Sequence, residues 1–216
     1  ERHGSAGIAV LEETLAALRD VGTLSVLDVK RGDIGSTMAG YAQAYLSDGA
    51  PLAADSITVS PYLGYGSLAP ALDLAEAGGR GVFVLALTSN PEGTTVQHAV
   101  SGERAVAAEV VEGVTASNAA ARGEGGLGSI GLVVGATVGE AVSRLGIDLL
   151  RANGPLLAPG VGAQGAGATE LESVFGPARR HVLASTSRGV LKAGPSIEAL
   201  RAAALAATHE AAAALR

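Results

Sequence analysis

Cysteine and tryptophan are absent, methionine occurs once, and aromatic residues make up only 3% of the 216 residues. Without cysteine there is no disulfide and no thiolate metal site, an absence neutral to slightly favourable for a cytoplasmic address. With so few aromatics, the core must be built from Ala, Val, Leu and Ile. Charge is also scarce, at 17% of residues, and the net value of −6 argues against broad nucleic-acid binding. No run approaches the roughly 20 uninterrupted apolar residues that a membrane span needs. The opening Glu1-Arg2-His3-Gly4 does not read as a signal peptide. His3, His98, His181 and His209 are too scattered to show metal-ligand spacing, and neither a Gly-x-Ser-x-Gly elbow nor a Walker loop occurs.

What is plentiful is apolar sequence, at 48%, and glycine, at 31 residues, about twice the usual ~7%. Short β-branched runs alternate with Ala-rich segments, a rhythm of repeated βα units and a parallel sheet. Strands are expected at Leu24–Val29, Ser56–Val59, Gly81–Leu87, Ile130–Val134, Pro155–Ala158 and His181–Ala184. Helices are expected at Ile8–Val21, Met38–Ser47, Ser67–Glu76, Val100–Ala121, Val138–Leu145 and Thr169–Val174, with Pro195 at the first position of a last helix to Leu215. The length fits one domain over residues 1–216. A closed (β/α)8 barrel needs eight strands. The expectation is therefore an α/β barrel whose first two strands and one helix are absent from the sequence. An open dinucleotide-binding sheet is disfavoured, because no Gly-x-Gly-x-x-Gly follows the first strand.

The densest chemistry lies in Asp28-Val29-Lys30-Arg31-Gly32-Asp33-Ile34-Gly35-Ser36-Thr37. Residues i and i+2 of a strand point the same way, so Asp28 and Lys30 share a face. Asp33 lies beyond the strand, where Gly32 and Gly35 permit a turn. Charges crowded in this way are costly to bury unless paired, and such clusters concentrate at functional sites. A solvated ion pair at a strand end is the plainer reading.

Ligands in parallel α/β folds collect at the carboxyl ends of strands. One such end carries Thr88-Ser89-Asn90-Pro91, which reads either as a polar rim or as an Asn-Pro turn. Another carries Gly160-Val161-Gly162-Ala163-Gln164-Gly165-Ala166-Gly167, whose exposed backbone N–H groups suit a phosphate and whose glycines suit a loop that opens and closes. A third carries Ser187-Arg188-Gly189, where a guanidinium fork can grip a phosphate dianion. The Ser60-Pro61-Tyr62-Leu63-Gly64-Tyr65-Gly66 stretch reads mainly as packing, the other reading being that its tyrosines wall a site or a subunit interface.

The Asp-x-Lys-x-x-Asp-Ile-x-x-Thr pattern of Asp28–Thr37 resembles the active-site signature of the orotidine 5'-phosphate decarboxylases, in the wording of a bacterial subgroup that includes the mycobacterial enzymes. The resemblance implies a cofactor-free and metal-free enzyme of pyrimidine biosynthesis converting orotidine 5'-monophosphate to uridine 5'-monophosphate. It implies that Lys30 stabilises and protonates the C6 carbanion, flanked by Asp28 and Asp33. Ser89 would bond the pyrimidine, Gln164 would reach over phosphate and base, and Arg188 would hold the phosphate. Asp33 and Thr37 would come from the partner subunit, making a homodimer with shared sites obligatory. The family's further Asp and Lys would lie on the two strands expected to be absent. Two rivals remain open: a Mg²⁺-dependent phosphosugar decarboxylase sharing the bare Asp-x-Lys-x-x-Asp, such as a 3-keto-6-phosphogulonate decarboxylase, and a non-catalytic nucleotide-binding dimer.

Overall fold

The computed structural model describes residues 2–161 and 166–216. The chain divides into two compact units, Glu1–Leu85 and Ala86–Arg216.

The first unit runs α1 (Gly4–Asp20), β1 (Val26–Arg31), α2 (Gly35–Leu46), β2 (Ser56–Val59), a 3₁₀ turn at Tyr65–Leu68, α3 (Ala69–Ala77) and β3 (Gly81–Leu87), whose last two residues fall in the second unit. β1 is parallel to β2, and β2 is parallel to β3 with Ser56 opposite Gly81 and Val59 opposite Val84. All four residues of β2 are buried, the pattern of a parallel strand covered on both faces. Met38, Ala42 and Leu46 recur every four residues on α2, and Ala71 and Ala75 do the same on α3. The two helices pack against each other along these small and apolar positions. Each Val, Leu or Ile so buried contributes about 1.5–3 kcal/mol.

The second unit contains α4 (Thr94–Gln97), a hairpin of β4 (Val100–Ser101) and β5 (Arg104–Ala105), α5 (Val106–Ser117) and α6 (Ala119–Gly123). It continues with β6 (Ile130–Val134), α7 (Ala141–Arg144), β7 (Leu156–Pro159), α8 (Ala168–Phe175), β8 (Val182–Ser185), α9 (Arg188–Leu191) and α10 (Ile197–Ala214). β6, β7 and β8 are parallel, with Leu132 opposite Leu156 and Leu156 opposite Val182. β6 is buried throughout. Asn118, itself buried, donates from Nδ2 to the carbonyls of Ile130 and Ala152 at 2.7 and 2.8 Å, so one amide ties the α5–α6 junction to the start of β6. No helix among the described residues is long and apolar enough to cross a membrane.

β2, β3 and β6 occupy the spans expected from sequence. β1 starts two residues later than expected and ends two later. Its approach is tied down elsewhere, Thr23 N–H to the carbonyl of Leu18 and Ser25 to Asp55. The expected helix Val100–Ala121 is a hairpin followed by two helices; Gly102, at φ +66°, makes the turn that an uninterrupted helix does not allow. Pro195 is not the first helical residue of α10, because Ser196 caps that helix by accepting the amide of Ala199 at 3.4 Å. Tyr62 does not pack within the chain, being 77% exposed.

Candidate active site

The chemistry of the first unit is concentrated at the carboxyl end of β1. Side chains there alternate, with Asp28 and Lys30 exposed and Leu27, Val29 and Arg31 half-buried. Lys30 Nζ donates to Oδ2 of Asp28 at 2.5 Å. Thr58, fully buried on β2, donates its hydroxyl to Oδ1 of the same carboxylate at 2.7 Å. That hydroxyl also accepts the backbone N–H of Lys30 at 2.9 Å. Three hydrogen bonds thus close a ring that runs from the Lys30 backbone through the Thr58 hydroxyl and the two oxygens of Asp28 to the Lys30 ammonium.

The ring exists because β1 is irregular. Val26 faces Ser56 and Leu27 faces Ile57, but Arg31 faces Val59, so β1 carries two extra residues over the interval. Within this bulge Lys30 takes φ +47°. Left-handed backbone costs a non-glycine residue roughly 1–2 kcal/mol and is found where the surroundings over-determine it. Past the bulge, Gly32 runs against β2 so closely that a Cβ there would lie 2.3 Å from the carbonyl oxygen of Ser60. Arg31 sits over the rings of Tyr41 and Tyr45 on α2, 5.8 and 6.0 Å from their centroids, and these contacts hold the end of β1 to that helix.

Asp33 does not join the ring; its Oδ1 accepts the amide of Ile34 at 2.8 Å, at the entry to α2. Gly35, at φ +51°, opens that helix, and Thr37 lies exposed in its first turn. Asp28 and Lys30 are therefore brought together, while Asp33 and Thr37 are held one turn further on.

In the second unit Ser89 is exposed after β3. Its neighbour Thr88 is committed elsewhere, accepting Gln97 Nε2 at 2.7 Å and donating to Asn90 Oδ1 at 2.7 Å, with its amide on Gln97 Oε1 at 2.9 Å. This fastens the loop around Ser89 and leaves Ser89 as the hydroxyl presented outward. Glu92 takes the amide of Asn90 at 3.1 Å, and that hydrogen bond holds its carboxyl below the usual range. Arg188 is the first residue of α9 and exposed, and its side chain has no ion pair or hydrogen bond among the described residues. Gln164 lies outside the described residues. Among the described residues, no three His, Asp or Glu side chains gather in a way that would hold a metal ion.

Sequence reasoning missed Thr58. It lies in a run of apolar β-branched neighbours, Ile57 and Val59, and reads there as one more strand former. A signal was present: a hydroxyl in a strand buried throughout must find partners.

The description "Orotidine 5'-phosphate decarboxylase / HUMPS family" belongs to a family model that matches residues 1–203. An orotidine 5'-phosphate decarboxylase of Salinispora arenicola is 60% identical over 94% of this chain and 71% of its own length. One from Streptomyces coelicolor is 59% identical over the same shares. A solved structure from Streptomyces avermitilis aligns with TM-score 0.91 at 57% identity, covering 100% of this chain and 73% of that one. The match to the family model, which includes the Asp28–Thr37 segment, and the identity to these relatives together establish that the chain belongs to the orotidine 5'-phosphate decarboxylase / HUMPS family.

Proposed function

We propose that this chain decarboxylates orotidine 5'-monophosphate to uridine 5'-monophosphate in de novo pyrimidine biosynthesis, with Lys30 as the acid. When the C6–carboxylate bond breaks, CO₂ leaves and the electron pair stays on C6, in the plane of the ring where conjugation does not delocalise it. A positive charge held ready at that point lowers the barrier, because it meets charge that develops only in the transition state. The observation that carries this reading is the Lys30 ammonium held at 2.5 Å on a carboxylate that is itself fixed from its other side by Thr58. Lys30 Nζ then gives a proton to C6 and is reprotonated from water. Asp28 lies beside the departing carboxylate. Binding energy from the rest of the nucleotide aligns the ring, with Ser89 on the pyrimidine, and Gln164 and Arg188 on the phosphate.

The active form in this reading is a cytoplasmic homodimer in which Asp33 and Thr37 serve the partner's site. Large apolar side chains exposed beside the site support it: Ile34 at 61%, Tyr62 at 77% and Leu63 at 52%. Residues 1–216 act as one catalytic domain, their strands belonging to a (β/α)8 barrel. The test is the loss of orotidine-monophosphate absorbance on incubation with the protein, run with and without EDTA. Turnover insensitive to EDTA is expected. No turnover of orotidine monophosphate together with Mg²⁺-dependent, EDTA-sensitive decarboxylation of a phosphosugar would point to the metal-dependent rival, and tight uridine-monophosphate binding without turnover to a non-catalytic dimer.

A further inference from the structure

We propose that Thr58 is a positioning residue for Lys30, acting through one hydroxyl on both ends of that side chain; the proposal rests on the reading of Lys30 as the acid. The direction of each hydrogen bond is forced. The amide of Lys30 only donates, so Thr58 Oγ1 accepts from it at 2.9 Å. The carboxylate of Asp28 accepts, so the single hydroxyl proton of Thr58 goes to Oδ1 at 2.7 Å. No freedom remains in the rotor.

Two consequences follow for the lysine. At its root, the bulge has taken the Lys30 amide out of the β1–β2 ladder, where Val26 and Leu27 face Ser56 and Ile57, and the Thr58 hydroxyl supplies the acceptor instead. That bond anchors a residue held at φ +47°. At its tip, Thr58 fixes Oδ1 of Asp28 and thereby turns Oδ2 toward Nζ. Asp28 and Lys30 are exposed and would otherwise sample many rotamers, whereas Thr58 is fully buried in a strand whose four residues are all buried. Strand formation alone does not require the hydroxyl, since valine is β-branched in the same way and is equally at home in a strand. Thr58 is buried behind Asp28 and acts on the substrate through it.

Two substitution pairs isolate the hydroxyl: Thr58 against Thr58→Val, which keep the same shape, and Thr58→Ser against Thr58→Ala, which differ by the hydroxyl alone. Each is assayed for turnover of orotidine monophosphate, for uridine-monophosphate affinity by calorimetry, and for amide hydrogen exchange at Lys30. The expected result is a kcat lowered about 10- to 100-fold in the Val and Ala variants, in line with ångström-scale misplacement of a catalytic group. KM and nucleotide affinity should stay within about threefold, and exchange at Lys30 should accelerate. Thr58→Ser should stay within about threefold of wild type in kcat. The proposal is overturned if Thr58→Val keeps kcat within twofold, if Thr58→Ser loses as much as Thr58→Ala, or if the loss appears in KM alone. Should Thr58→Val not fold, the Ser and Ala pair decides by itself. Absence of turnover in the wild-type protein would overturn the reading of Lys30 as the acid, and exchange at Lys30 would still report whether Thr58 anchors the bulge.

Discussion

Lys30 and Asp28 meet at 2.5 Å with their side chains 51% and 57% exposed. An exposed ion pair is worth at most about 1 kcal/mol. The left-handed backbone that presents Lys30 costs roughly as much or more. The pair is therefore not there for stability, and its geometry has to be explained by what the ammonium does.

Lys30→Ala should abolish turnover and leave nucleotide binding largely intact, because the ammonium acts on charge absent from the ground state. Steady-state assay together with calorimetry on uridine monophosphate checks it. A variant retaining more than about a tenth of the wild-type kcat, a loss of ~1.4 kcal/mol or less, would remove Lys30 from that role.

Arg188, exposed and with no side-chain partner among the described residues, is available to an anionic group. Arg188→Ala should raise KM and lower kcat/KM, and a substrate lacking its phosphate should reproduce the defect in the wild-type enzyme. If both parameters stay within twofold, Arg188 is a bystander.

Asp33 stands apart from the Lys30 ring, bonded to the Ile34 amide at 2.8 Å. If it serves the neighbouring subunit, Lys30→Ala and Asp33→Ala proteins should each be nearly inactive alone and recover activity when mixed. A mixed dimer has one intact site and one carrying both lesions. Equal amounts reassociating at random make about half the dimers mixed, so activity should approach about a quarter of wild type by symmetry. Confirmed subunit exchange with no recovery would show that Asp33 serves its own chain.

Asp55 shapes the acid limit of the first unit. Burial pushes its carboxyl up, but the hydroxyl and amide of Ser25, each 2.8 Å from Oδ2, and the charge of Arg80 outweigh that and hold it below the ordinary value. A carboxylate depressed in the folded state contributes stability fully above its unfolded pKa of about 3.9 and loses it as pH falls through the folded value. Asp55→Asn should therefore cost about 1–2 kcal/mol at pH near 7, with the gap to wild type narrowing below pH of about 4. Urea unfolding at neutral and acid pH measures both; a gap independent of pH would contradict the assignment.

How much of this was legible in the sequence depends on the range of the interaction. β2, β3 and β6 read correctly because an apolar run bounded by turn residues is a local property, and Asp28 and Lys30 were placed on one face by the two-residue period alone. The signature and the family it resembles were likewise local. What the tertiary structure decided is non-local. The bulge that puts Lys30 in left-handed backbone arises from how β1 meets a strand 28 residues away, and Thr58 has no neighbour in sequence that marks its role. The hairpin inside the expected helix at 100–121 has the same cause, for helical propensity is a weak prior and Gly102 with its cross-strand pairing overrode it. Residue types and short spacings placed the charges on one strand; only the packing of β1 on β2 determined which oxygen of Asp28 faces the lysine and what holds it there.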